Sequence, residues 1–341
     1  MIVGLDFFRY DTIPEVIPVR IIFTGRTKRR TQAGMHLMEA FRRAGCEVKW
    51  LRSTWVEKLF GPQWLIARAR RFQPDMLFLY THLPSFPMVE ALLADGVPLL
   101  FFLPSVHREP APEILDLARK STVFFINNQG QFDLFREQGC RDIRFLTQGF
   151  DPATHYPERN PNPRWRSEVA FIGRCRRGDG RSALIESLKR QWDVKVYGLG
   201  WEDVGLSAVR RVIYPPQYRA ICASSGIILG SDTQPDIPLC FSNRTWLTLG
   251  CGAFLLTSYV PRLEDLFENH KHLVWYRSPE ECQEMVEYYL AHPEERKQIA
   301  QAGHQLVMEN YTYDHIVKRI LDAFFEKTGI SPQPTDILPH P

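Results

Sequence analysis

Residues 168–192 read EVAFIGRCRRGDGRSALIESLKRQW. The run Glu168–Ile172 predicts a buried strand, the glycine-punctuated GRCRRGDGRS a loop, and Leu184, Ile185, Leu188 and Trp192 the apolar face of a helix. The same pattern stands near the start of the chain. Val19–Thr24 (VRIIFT) predicts a strand, GRTKRRTQAG a loop, and Leu37, Phe41 and Ala44 the inner face of a helix around His36–Ala44 that stops at Gly45. Further strands are predicted at Glu47–Leu51, Met76–Tyr80, Pro98–Leu103, Thr122–Ile126 and Ile143–Leu146, then at Val194–Tyr197, Gly226–Leu229, Ala253–Leu256 and His272–Tyr276. Helical patterns separate most of them, including one near Tyr218–Ala223, and apolar strands alternating with helices predict parallel sheets covered on both faces.

Between the two series the texture changes. Pro152, Pro157, Pro161 and Pro163 crowd one stretch with little apolar periodicity, which reads as an interdomain linker over residues 151–166. The expected fold class is α/β, with two doubly wound domains over residues 1–150 and 167–312. Helices at Glu280–Leu290, Pro293–Asn310 and Tyr313–Lys327 close the chain, ahead of a flexible tail over residues 329–341.

Composition agrees with two globular domains. The chain has 341 residues, 44% hydrophobic and 24% charged, which excludes disordered and collagen-like classes. A net charge of +3 argues against a dedicated nucleic-acid or membrane-surface binder. Seven cysteines, an odd number with no CxxC pair, argue against a disulfide framework or a structural zinc site. Asp6, Arg9, Asp11 and Glu15 interrupt the N-terminal run, and no apolar stretch is long enough to span a membrane. A cytoplasmic protein with reduced thiols is expected.

Both first strands end in Gly-Arg: Phe23-Thr24-Gly25-Arg26 and Phe171-Ile172-Gly173-Arg174. In open α/β sheets ligands sit beyond the carboxyl ends of the strands, where Gly admits a ligand to the backbone and Arg offers a fork for phosphate. Neither loop is a GxGxxG dinucleotide fingerprint or a P-loop. The stretch Cys240–Thr257, CFSNRTWLTLGCGAFLLT, predicts a short helix with Ser242 or Asn243 as N-cap, stopped by Gly250 and Gly252 and followed by a strand. Arg244 in its first turn opposes the helix dipole unless an anion lies there, and a diphosphate is the natural partner. As a non-core residue, Arg244 is expected to matter little for folding. His107 and His82 follow first-domain strands and are candidates for positioning or deprotonating a hydroxyl acceptor, with Gly25 and Arg26 in the same cleft; the other eight histidines read as surface or packing residues. Arg26, Lys28, Arg29 and Arg30 form a basic loop suited to an acidic acceptor or a phosphate, and only weakly to nucleic acid.

Three stretches, FIGRCRRGDGRSALIESL, SNRTWLTLGCGAFLLTSYVPRLEDLF and PEERKQIAQAGHQLVMENYTYDHIVKRIL, carry a resemblance to a known family. The chain resembles the GT-B fold glycosyltransferases, and among them the CgeB-like branch related to the large family of retaining nucleotide-sugar transferases. The likeness covers Glu168–Leu321, and over the first 150 residues it is one of architecture. It implies two Rossmann-like domains facing across a cleft, with a nucleotide-diphosphate sugar on the second and a hydroxyl acceptor on the first. It also implies that the helix over residues 313–328 crosses back to the first domain. Gly173 and Arg174 would meet the donor diphosphate, and Ser242, Asn243 and Arg244 would precede the donor-binding helix.

Many such relatives carry two glutamates eight positions apart in this segment; Leu239 and Leu247 stand there here. Enzymes of the other common fold hold Mg²⁺ or Mn²⁺ with an Asp-x-Asp motif, which this sequence lacks. The expectation is metal-independent transfer with no cofactor, the leaving diphosphate being neutralised by a helix N-terminus with Arg174 and Arg244, and with His107 and Arg244 as catalytic residues. Two alternatives are a nucleotide-sugar or carbohydrate binding protein that has lost catalysis, and a transferase glycosylating modified DNA bases.

Overall fold

The computed structural model describes residues 18–25, 33–52, 55–81 and 84–330. Six of the apolar runs form one parallel sheet from β1 (Arg20–Gly25), β2 (Glu47–Trp50), β3 (Met76–Tyr80), β4 (Leu99–Leu103), β5 (Val123–Ile126) and β6 (Ile143–Phe145), in the order β2-β1-β3-β4-β5-β6. Side chains alternate across it. Ile21, Phe23 and Phe78 pack to one face against Leu37 and Phe41 of α1 (Ala33–Arg43). Ile22, Leu77 and Phe101 pack to the other, against α3 (Pro62–Phe72), α4 (Phe86–Ala94) and α5 (Pro112–Lys120). Both faces being covered, β3 and β4 are buried at every residue. The short helices α2 (Trp55–Phe60) and α6 (Phe132–Glu137) complete this domain.

The second sheet contains β7 (Ser167–Ile172), β8 (Val194–Tyr197), β9 (Ser225–Leu229), β10 (Leu255–Ser258) and β11 (Val274–Tyr276), in the order β11-β10-β9-β7-β8. Its helices are α7 (Arg181–Lys189), α8 (Pro215–Ser224), α9 (Arg244–Gly250), α10 (Pro279–Ala291) and α11 (Pro293–Asn310). In both sheets the first strand lies between the second and the third, so the winding reverses there. The crevices for ligands therefore lie at the carboxyl ends of β1/β3 and β7/β9.

The last helix, α12 (Tyr313–Thr328), belongs to the other half. Its Tyr313, Ile316, Val317, Ile320 and Phe324 are buried in the core that contains Ile21, Phe23 and Phe41. The crossing is pinned where the chain leaves the first domain. Phe150 N–H donates to Tyr311 O (3.3 Å) and Tyr313 N–H donates to Phe150 O (2.9 Å), so the outgoing and returning segments run side by side.

Two expectations need adjustment. The connecting stretch is not a loose tether: Asp151, His155 and Trp165 are buried, and Phe150 and Trp165 pack into the second-domain core. The strand expected at Ala253–Leu256 runs over Leu255–Ser258 instead, because the Ala253 N–H is still bonded to Thr248 O of α9 (3.2 Å). No described helix is long and apolar enough to cross a membrane.

Candidate active site at the carboxyl edge of the second sheet

Arg244 opens α9, a helix of only seven residues, and turns inward. It is 8% exposed; its Nε donates to Ile172 O at the end of β7 (2.6 Å), and its guanidinium lies 4.5 Å from the Phe171 ring centroid. A Cβ on residue 173 would overlap Arg244 Nη2, so glycine is needed there to admit this guanidinium. The expectation that Arg244 is peripheral to folding is thus overturned, since its side chain fills the space above the end of β7. Its two Nη atoms carry no hydrogen bond to the described residues, and they are the part of the fork still available to an anion.

A second arginine, not singled out from the sequence, shares this corner. Arg181 begins α7 and is also buried. Its Nη1 donates to Arg174 O (2.6 Å), and its Nε and Nη2 donate to Ser231 O (3.1 and 2.7 Å), which ties the loop after β7 to the segment after β9. Burial and the charge of Arg244 both lower the Arg181 pKa. Two carboxylates balance the pair. Asp179 lies 3.5 Å from Arg181 Nη1 and accepts from the Arg176 and Arg181 N–H groups. Asp232 accepts from Ser242 N–H (2.8 Å); burial raises its pKa, while Arg244, the Ser242 N–H and Arg181 pull it down. Arg181 therefore shapes the loop, and Arg174 projects an exposed side chain at its mouth.

The two candidate caps behave differently. Ser242 Oγ accepts from Arg244 N–H (3.2 Å). Asn243 occupies the cap position with helical backbone angles and makes no capping bond; its Oδ1 is buried without a partner. Gly250 ends the helix under Phe150, whose ring a Cβ there would overlap.

The first-domain candidates lie apart from this corner. Arg26 and His82 fall outside the described residues. Gly25 ends β1 at φ +110°, where a Cβ would overlap Tyr80 O. It is glycine because two backbones touch, not because a ligand approaches. His107 follows β4, with Nε2 2.9 Å from Ser105 Oγ and its main chain bonded in both directions to the Gln131 side chain. Its neighbour Arg108 reaches Asp236 of the second domain (2.9 Å), and Gln129 N–H reaches Pro238 O (3.0 Å). His107 thus stands beside a contact between the domains.

A cavity of about 120 Å³ lies between the domains, walled by His36 of α1, His155, Tyr218 of α8, Asn243 and Leu247 at α9, and Tyr313 of α12. His36 Nδ1 is 3.3 Å from Asp151 Oδ2, and its ring stacks on Tyr313. Burial, with the nearby His36 and Arg219 charges, pushes the His155 pKa down to about 4 against a smaller opposing effect of Asp151. Burial would raise Asp151, but His36, Arg43 and the Ala153 N–H outweigh it and hold the carboxyl below its ordinary value. The sequence reading of His36 and His155 as surface or packing residues therefore missed their place in the cleft. His155 sits in an aperiodic, proline-rich stretch, and only the tertiary fold brings it to His36.

Residues 176–322, which span most of the second domain and the first part of α12, match the family described as Glycosyl transferase-like. No curated protein matches the chain. Among solved structures it is similar to Anabaena Alr3699/HepE in complex with UDP-glucose, with 14% identity, 90% of this chain and 99% of that one covered, and a TM-score of 0.62. It is similar to a glycosyltransferase from Rickettsia africae, with 10% identity, 91% and 99% covered, and a TM-score of 0.66. Sucrose-phosphate synthase from Thermosynechococcus elongatus aligns with 12% identity, 92% and 100% covered, and a TM-score of 0.64. The fold is GT-B: two Rossmann-like domains with the last helix returning to the first.

Proposed function

We propose that this protein is a glycosyltransferase of the CgeB-like branch that moves a sugar from a nucleotide-diphosphate donor to a hydroxyl acceptor without a metal ion. The reading is carried by Arg244, whose Nη edge is held above Gly173 at the second sheet's switch point with no hydrogen bond to the described residues. The glycosyltransferase-like match over residues 176–322 and the UDP and UDP-glucose bound by HepE support the same donor class. In the reaction the bond from sugar C1 to the diphosphate oxygen breaks, the acceptor oxygen bonds to C1, and the acceptor loses its proton. Negative charge grows on the departing diphosphate. Arg244 and the exposed Arg174 are the cations placed to meet it, and a fixed donor of this kind is worth about 10²-fold in turnover. His107 is the first-domain candidate for positioning the acceptor.

The test is donor binding and turnover in Arg244→Lys, which keeps the charge and part of the packing but loses the fork. Turnover about 10²-fold lower in a folded variant is expected, together with full wild-type activity in EDTA. Wild-type turnover in Arg244→Lys would remove the phosphate role, and a loss in EDTA restored by Mn²⁺ would overturn metal independence. A second reading, binding without catalysis, is favoured by Leu239, which is 1% exposed, and by Leu247 on the cavity wall, where many relatives have carboxylates. Release of free sugar from UDP-glucose or another nucleotide sugar separates the two readings.

A further inference from the structure

The most exposed large apolar side chains among the described residues stand together at one corner of the first domain. Leu59 and Phe60 end α2 and are each 67% exposed, and Trp64 in the first turn of α3 is 44% exposed. Between them Gly61 turns the chain at φ +73° ahead of Pro62, and a Cβ there would have no neighbour within 4 Å, so the corner is convex and open. Neighbouring large apolar groups left outside a fold mark a contact surface.

Behind the corner, α3 divides its faces. Leu65, Ile66 and Ala69 are buried against the first sheet, while Trp64, Arg68 and Arg71, at i, i+4 and i+7, line the outer side. The Arg68 guanidinium lies 5.3 Å from the Trp64 ring centroid. Along the same edge of the sheet, Lys49 stands over Phe72 (4.9 Å) and Arg52 over Trp50 (4.6 Å). The carboxylates nearby are committed elsewhere: Asp95 pairs with Arg70 (2.7 Å), and Glu57 accepts from Ser85 Oγ. Among the described residues no carboxylate pairs with Arg68 or Arg71. Residues 49–72 hold six basic residues and one acidic, a net of +5 in a chain whose total is +3, so the remainder is −2. The small total conceals a strongly basic corner.

These features select the partner. The arginines need an anionic surface, Leu59 and Phe60 need an apolar medium to enter, and a Trp beside an Arg suits the boundary between the two. An anionic bilayer offers both layers at once. Single-stranded nucleic acid fits less well, because leucine has no stacking face and the corner is convex rather than grooved.

We propose that the α2–α3 corner docks this protein on an anionic bilayer surface, with Leu59 and Phe60 entering the acyl boundary and Arg68 and Arg71 meeting the headgroups. The Ser85–Glu57 contact ties α2 to the segment after β3, at the carboxyl edge of the first sheet, so docking holds that edge at the membrane. Nothing in this docking depends on the nucleotide sugar.

The test floats the full chain with vesicles of phosphatidylcholine, alone or mixed with phosphatidylglycerol. Leu59→Ser/Phe60→Ser and Arg68→Gln/Arg71→Gln are run beside it, with melting temperature as the control for folding. Wild type is expected to bind the anionic vesicles about tenfold or more tighter than the neutral ones. The apolar pair should lose about tenfold or more. The arginine pair should lose about 25-fold, at about fivefold per residue, and its remaining binding should depend less on salt. No binding to anionic vesicles, or equal binding by wild type and either variant, overturns the proposal. So does capture of oligo-dT, abolished in the same variants, by a protein that ignores vesicles. A wild-type dimer that Leu59→Ser/Phe60→Ser splits, again without vesicle binding, overturns it in favour of self-association. Should the apolar pair fail to fold, Arg68→Gln/Arg71→Gln decides by the same outcomes.

Discussion

Gly25 and Gly173 end the first strands of the two sheets in nearly the same words, Phe-Thr-Gly-Arg and Phe-Ile-Gly-Arg, yet they are glycine for different reasons. At Gly25 the backbone itself is in a left-handed conformation and presses on Tyr80 O, so the edge between β1 and β3 is closed main chain against main chain. At Gly173 the neighbour is the tip of a side chain, the Arg244 guanidinium, and the edge between β7 and β9 is lined with charge. Two halves with one winding rule thus use the same crevice differently, one as a joint and one as a candidate site. They differ in charge as well. The second domain presents guanidinium groups, which stay charged, whereas the cleft beside α1 presents the His155 imidazole, whose pKa burial pushes down to about 4.

The largest effect should come from Gly25→Ala. Positive φ and overlap with a carbonyl that cannot swing away combine, and a loss of about 4 kcal/mol or more in urea unfolding is expected. A loss under about 1 kcal/mol would show that the first edge has slack. Next comes the imidazole side. His155 has a folded pKa near 4 against an ordinary 6.5, so the unfolded chain binds the extra proton between those values. Stability should therefore be full above pH 6.5 and fall by about 3 kcal/mol as pH drops towards 4, a slope that His155→Gln should reduce. His272 and His315, lowered by burial, add in the same direction. An unchanged slope in the variant would mean that His155 is charged in the folded protein.

The smallest change in stability should come from Gly173→Ala, about 1–2 kcal/mol, because a guanidinium tip can shift where a carbonyl cannot. Donor affinity should nevertheless fall about tenfold or more. With Arg244→Ala as the second arm of a double-mutant cycle, the two losses should not add, and a coupling of about 1 kcal/mol is expected. Additive losses would separate Gly173 from Arg244 and remove the contrast with Gly25.

Much of the architecture was legible because it is written in local periodicity. MLFLY is apolar throughout, and VRIIFT and EVAFI are apolar apart from Arg20, Thr24 and Glu168, as strands covered on both faces should be; β3 and the helix over residues 293–310 fall where the sequence pattern places them. The segment around Arg244 was legible for a sound reason, since a cation in a first helical turn needs explaining. The explanation is only half an anion; the other half is Ile172 O and Phe171 beneath it, which no spacing rule joins to position 244. Arg181 carried the same signal at the start of α7 and was passed over inside a run of loop arginines. His36 and His155 were illegible for a further reason: their partners Asp151, Tyr218 and Tyr313 come from other segments, and only the crossing helix assembles them.

That crossing also dictates an order of assembly on the ribosome. The second sheet and its helices are contiguous in the chain and can close as soon as they emerge. The first sheet, though made earlier, must wait for Ile316, Ile320 and Phe324 to cover the face formed by Ile21, Phe23 and Phe41. At about 5–20 residues per second, the stretch from Phe145 to Thr328 takes roughly 10–40 s to appear. Through that interval the N-terminal half carries an apolar face covered by α1 alone, and a nascent chain cut short before Tyr313 never completes its cover.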